Sequence, residues 1–192
     1  FMTKNKLVLE WVNEMAKLCS PDHVYWCDGS VEEKRRLEEE ALKTGELIRL
    51  NQEKLPGCLF HRTAINDVAR TEDLTFICTP YQEDAGSTNN WMSPEDAYAK
   101  AGAIFDGSMK GRTMYVMPFS MGPISSPFSK IGVQLTDSIY VVLNMRIMTR
   151  LSKTVFDHLG ENEDFTKCLH SKADLDVNRR LILHFPEENT IW

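Results

Sequence analysis

Thr113-Met-Tyr-Val-Met-Pro-Phe119, the loop Gly122-Pro-Ile-Ser-Ser-Pro127, Ile131-Gly-Val-Gln-Leu135 and Thr136-Asp-Ser138 ahead of a long apolar run to Leu151 decide the fold. Two β-branched and aromatic segments read as strands, joined by a loop rich in Gly, Ser and Pro. Thr136, Asp137 and Ser138 are residues that start helices. Val141, Val142, Met145, Ile147, Met148 and Leu151 follow them. Apolar residues lie almost all round this helix, which predicts deep burial. This stretch reads as strand, strand, helix, and no internal repeat is found along the chain.

Upstream the same alternation recurs. Leu7, Val8, Trp11, Val12, Met15 and Leu18 share one helical face, and Ser20-Pro21 ends it. Residues 24–27 read as a short strand closed by Asp28-Gly29. Ser30 with Glu33 has the form of a capping box, opening a helix that stops near Gly45. Residues 47–50 and 74–79 are further strand candidates, and 80–90 a polar loop. Ser93-Pro94-Glu95 is a helix start running to about Phe105, broken by Asp106-Gly107. Downstream, residues 181–185, a Glu187-Glu188-Asn189 turn and residues 190–192 form a terminal hairpin. The pattern predicts one α/β domain with a mixed β-sheet flanked by helices.

Composition sets the class. The chain has 192 residues, 42% hydrophobic and 26% charged, enough to bury roughly 70% of the unfolded surface around a real core. No apolar run reaches the ~18 residues of a membrane helix, and no secretory signal precedes the first helix. A soluble, cytoplasmic protein is therefore expected. Phe1, ahead of Met2, reads as a residue left by cloning. The net charge of −6 makes nucleic acid a poor partner. Lys34-Arg35-Arg36 sits among Glu32, Glu33, Glu38, Glu39 and Glu40, which is a solvated helix face. Cys19, Cys27, Cys58, Cys78 and Cys168 are scattered and read as reduced thiols.

Chemistry is sparse. His23, His61, His158, His170 and His184 include no pair at the i, i+4 spacing of a zinc helix, and Cys168-x-His170 and Cys19-x-x-x-His23 lack a second half. No metal site is expected. The segment from Gly107 to Thr113 contains Gly, Lys and Thr in the wrong order for a phosphate loop, and precedes a strand. The two prolines of Gly122–Pro127 remove N–H groups that a phosphate cradle requires. No nucleophile elbow is present, and the carboxylates crowd helix faces where exposure explains them. No catalytic residue and no cofactor ligand are expected within the chain. One segment stands out: Asn66-Asp-Val-Ala-Arg-Thr-Glu-Asp73, just before the strand at 74–79. Arg70 there could present its planar fork to a carboxylate. Spacing alone favours a local ion pair with Asp67, Glu72 or Asp73.

Asp67-Val-Ala-Arg-Thr-Glu72, Met109-Lys-Gly-Arg-Thr-Met-Tyr-Val-Met-Pro-Phe-Ser-Met-Gly-Pro123, Ile131-Gly-Val-Gln-Leu-Thr-Asp-Ser138 and Met145-Arg-Ile-Met-Thr-Arg150 closely resemble the GTP-dependent phosphoenolpyruvate carboxykinases. Trp26-Cys-Asp-Gly-Ser30, Trp91-Met-Ser93 and Cys168-Leu-His-Ser171 fall in the matching order. The resemblance spans nearly the whole chain and is to the GTP-type enzymes. It implies the fold of their N-terminal domain over residues 1–192. It also implies that Arg70 holds the carboxylate of phosphoenolpyruvate or oxaloacetate, reversing the preference for a local pair. The family's Tyr-Gly-Gly-Asn loop, its Mn2+ or Mg2+ ligands, phosphate loop and guanine pocket are not found in this sequence. The chain is therefore expected to be C-terminally truncated and inactive alone, with GTP and metal bound by a C-terminal nucleotide-binding domain. The Lys172–Arg180 region is short, as in bacterial members. The terminal segment 190–192 and the Gly122–Phe128 loop are expected to be left uncovered and to favour self-association. The rival from another class is a non-catalytic carboxylate-binding or protein-interaction module on the same fold.

Overall fold

Three helix starts are made by the serines expected to make them. Ser30 Oγ accepts from Glu33 N at 3.0 Å, Ser93 Oγ from Asp96 N at 3.1 Å and Ser138 Oγ from Val141 N at 3.3 Å. The computed structural model describes residues 2–63, 71–172 and 176–192. Phe1, the segment 64–70 that includes Arg70, and residues 173–175 lie outside the described residues.

In chain order the elements are α1 (Lys6–Cys19), β1 (His23–Trp26), α2 (Val31–Thr44), β2 (Ile48–Arg49), β3 (Leu59–Phe60), β4 (Thr75–Ile77), β5 (Asn90–Trp91) and α3 (Pro94–Phe105). Then follow β6 (Thr113–Met121), β7 (Lys130–Thr136), α4 (Ile139–Met148), β8 (Arg150–Leu151), α5 (Lys153–Leu159), β9 (Thr166–Leu169), β10 (Ile182–Phe185) and β11 (Thr190–Ile191). Among the described residues, nine strands form one mixed sheet in the order β1-β6-β7-β9-β11-β10-β4-β5, with β8 also on β6. The α/β architecture with a mixed sheet flanked by helices is the one the sequence pattern predicts.

The β6/β7 pair is the spine, with Tyr115 opposite Thr136 and Met121 opposite Lys130. Alternate β6 residues serve opposite faces. Met114 and Val116 pack with Val8, Trp11, Val12 and Met15 of α1 and with Phe156 of α5. Tyr115 and Met117 pack with Leu37 and Ala41 of α2 and with Ile139 and Val142 of α4. Ala97 and Ala101 of α3 join Leu183 and Phe185 of β10 in a third cluster, and Trp192 and Phe105 connect it to the α1 cluster. Pro118 is tolerated because its nitrogen points to the side where β1 has ended, at Val116, and β8 begins, at Phe119.

Several expectations are corrected. The helix after Ser138 stops at Met148, because Thr149 turns extended and Arg150–Leu151 pair with β6. It is not deeply buried: Ile147 is 83% exposed and Met148 65%. Its packing against α2, β6 and β8 leaves these two side chains uncovered by the described residues. The terminal segment is not an unpaired edge, since β11 lies between β9 and β10 and the Trp192 amide and carbonyl bond to Leu183. The Trp192 ring meets Tyr98, Phe105 and Phe185 edge to face. Residues 47–50 supply only β2, which pairs with β3 outside the main sheet. Glu33 is buried, not solvated. Its carboxylate accepts from Asp28 N and Gly29 N and pairs with Arg146 at 3.2 Å. The rest of that helix face is as expected, with Lys34–Glu38 and Arg36–Glu40 pairs at i, i+4.

Candidate functional site

The strand directions bring chemistry to one end of the sheet. β7, β9 and β11 run parallel and finish there, whereas β4 and β10 begin there. Segments leaving the first group and entering the second therefore converge, the arrangement in which mixed α/β sheets place ligand sites. A cavity of about 480 Å³ opens at this end. Its inner wall is apolar, formed by Ala101, Ile104 and Phe105 of α3, Leu181 and Leu183, and Trp192. Its rim carries Arg62, Lys172, Arg179 and Arg180 against the carboxylates of Glu46 and Asp176. Four cations to two anions around an apolar body suit a small organic acid.

The rim is organised by the end of β7. Thr136 Oγ1 is 2.8 Å from His170 Nδ1 and accepts from Ser138 N at 3.1 Å. Ser138, besides capping α4, donates to Glu46 Oε1 at 3.3 Å. The same Glu46 oxygen accepts from Tyr140 N and lies 3.6 Å from Lys172 Nζ. The Glu46 carbonyl is 2.6 Å from His61 Nδ1, and the His61 ring stacks on Tyr140 at 3.8 Å. Asp137 is buried. It accepts from Ser171 Oγ at 2.8 Å and Lys172 N at 3.0 Å. Arg112 Nε approaches it at 2.9 Å, a pairing of charge rather than an aligned hydrogen bond.

Other candidate groups are inert. Burial pushes the Cys19, Cys78 and Cys168 thiols up to about 11 and Cys27 higher still. None is an activated nucleophile. Among the described residues, no group of three or more His, Cys, Asp or Glu is disposed to hold a metal. Nor is any helix there long and apolar enough to cross a membrane. The turn at 106–112 is structural, with positive φ at Gly107 and Gly111.

Arg70 lies outside the described residues. Thr63 and Thr71, the described residues on either side of that segment in the chain, both line the cavity. Sequence reasoning missed His170, Lys172, Arg179 and Arg180. A signal existed for the last of these: the argument that singled out Arg70, an arginine just ahead of a strand, applies equally to Arg180 before β10.

Comparison with known proteins decides the family. Residues 10–192 match the phosphoenolpyruvate carboxykinase N-terminal domain. The chain belongs to this family. A relative from Anaeromyxobacter sp. (strain K), named phosphoenolpyruvate carboxykinase (GTP), is 60% identical over 190 residues, covering 99% of this chain and 32% of its own length. Relatives of the same name from Corynebacterium efficiens and Neocallimastix frontalis are 48% and 46% identical, over 99% and 97% of this chain and 33% of their own. The chain thus spans about a third of the length of the curated relatives it matches. Within this carboxykinase domain, the cationic cavity joins an apolar wall to convergent charge.

Proposed function

We propose that the chain is the N-terminal, substrate-binding part of a GTP-dependent phosphoenolpyruvate carboxykinase. The whole enzyme converts oxaloacetate and GTP to phosphoenolpyruvate, carbon dioxide and GDP in the cytoplasm, toward sugar synthesis. The observation that carries this reading is the cationic rim of the cavity, bounded in sequence by Thr63 and Thr71 on either side of the Arg70 segment. Arg70 is the carboxylate ligand in this reading, with its bidentate fork fixing the orientation of the acid. The rim cations draw the dianionic substrate in and offset its charge. The apolar wall excludes water from one side of it, which strengthens every charge interaction within. The nucleotide, and a divalent metal that supplies charge stabilisation to the transferred phosphoryl group, belong to the two thirds of the relatives' length that this chain does not cover. The five free thiols fit a reducing compartment.

The test is turnover by the full-length protein with oxaloacetate, GTP and a divalent cation. Phosphoenolpyruvate formation that requires GTP is expected. Decarboxylation no faster than with the metal alone overturns the reading.

A further inference from the structure

We propose that Asp137 is a positioning residue of this site, setting the His170–Lys172 segment against the cavity without touching the substrate. The inference rests on the substrate-binding reading above. Helix capping does not explain Asp137, because Ser138 already accepts the α4 amide. A carboxylate whose side chain has no exposed surface is costly unless each oxygen is satisfied. Here the satisfaction comes from three separate places. Arg112 supplies the countercharge, and its guanidinium also donates to the Ser108 carbonyl, beside the cavity wall. Ser171 Oγ and Lys172 N supply the two other bonds. Asp137 and Arg112 are absent from the cavity lining, whereas Ser108, His170, Ser171 and Lys172 are all in it. The buried Asp137, with its partly exposed partner Arg112, therefore acts on this cavity through other residues.

The segment is pinned residue by residue. His170 donates its amide to the Leu135 carbonyl, and its ring meets Thr136. Ser171 and the Lys172 backbone are held by Asp137, and the Lys172 ammonium is held by Glu46. One rim cation is thus fixed at both ends of its side chain by groups at the close of β7 and the start of β2. Fixed charge in a partly water-excluded site binds an anion without reordering, which is the advantage of preorganisation.

Asp137→Asn in the full-length protein tests this, because in either amide orientation one of the two accepting oxygens is lost. KM for oxaloacetate should rise at least fivefold while KM for GTP stays within twofold. Ser171→Ala, a milder change that leaves the Arg112 pair intact, should raise KM for oxaloacetate two- to fivefold, and it decides the matter alone if the Asn variant does not fold. An unchanged KM for oxaloacetate, or equal shifts for both substrates, overturns the proposal. Hydrogen exchange of the 170–172 segment, expected at least fivefold faster in the folded variant with β6 unaffected, is independent of activity. If the unmodified protein shows no GTP-dependent turnover, the carboxykinase reading fails and this exchange measurement alone upholds or overturns the positioning role.

Discussion

At the scale of single residues, the proposed substrate role rests on planar, permanently charged groups and the stability on buried ones. Arg70→Lys in the full-length protein keeps the charge and loses the bidentate fork. The loss of a charge-assisted hydrogen bond is about 1.5–3 kcal/mol, or roughly ten- to a hundredfold in kcat/KM for oxaloacetate, with KM for GTP little changed. Steady-state kinetics giving values within twofold of the unmodified enzyme would remove Arg70 from the site. The buried thiols make a different prediction. Folding raises Cys19, Cys78 and Cys168 from 9.0 to about 11, because burial penalises the thiolate. Their contribution to stability is therefore complete below pH 9 and lost as pH rises toward 11, by up to about 1.4 kcal/mol per pH unit for each thiol. Urea titrations at pH 8, 9 and 10 should show a shallower alkaline loss in Cys168→Ala than in the parent. Parallel curves would mean that this thiol does not couple to folding.

At the scale of elements, the two devices that join helices to the sheet differ in how far the sequence announces them. Glu33 gathers four donors: Tyr25 Oη, the Asp28 and Gly29 amides and Arg146 Nη1. Arg146 in turn donates to the Gly29 and Ser30 carbonyls, so α2, β1 and α4 are tied at one point. Glu33→Ala leaves a largely buried guanidinium uncompensated and should cost about 3–5 kcal/mol in chemical denaturation; a loss below about 1 kcal/mol would mean that water replaces the carboxylate. Gly132 is the second device. A Cβ there would come within 2.3 Å of the Phe119 ring across the β6/β7 pair. Gly132→Ala must therefore displace the ring and should lower Tm, and an unchanged Tm would show that the ring swings freely. Capping serines, the β6 and β7 strands and the α1 face were legible because each is a local signal. The Glu33–Arg146 tie was not, since it spans 113 residues and helix-face spacing makes Glu33 look solvated. The same limit explains α4: its sequence is apolar all round, but the neighbours that would bury Ile147 and Met148 are not there among the described residues. β9 is a short strand whose identity comes from β7 and β11 on either side of it, not from periodicity, whereas the β10/β11 hairpin is the one the sequence predicts. The cavity was illegible for that reason, because it exists only where those strand ends meet.

At the scale of the whole molecule, the sheet separates two kinds of work. Its β6/β7 centre, covered on both faces, provides the core. Its one end, where β7, β9 and β11 finish and β4 and β10 begin, holds the cationic cavity. The exposed apolar residues Met121 and Phe128 are at the other end. What the chain can do unaided follows from what its described residues offer. They provide convergent cations and an apolar wall, but no cluster able to hold a metal. Orientation of two reactants by one enzyme accounts for a large part of the rate in two-substrate chemistry, and in the proposed reading this chain orients only one of them. The 192-residue chain assayed alone with oxaloacetate, GTP and Mn2+ should therefore decarboxylate no faster than the metal-only blank. Under the same conditions it should still show saturable, salt-sensitive binding of oxaloacetate by calorimetry, because rim charges are screened within about 10 Å at 0.1 M salt. Turnover above the blank would place catalytic groups within these residues. Absence of binding would mean that the cavity takes its acid only when the rest of the carboxykinase closes over it.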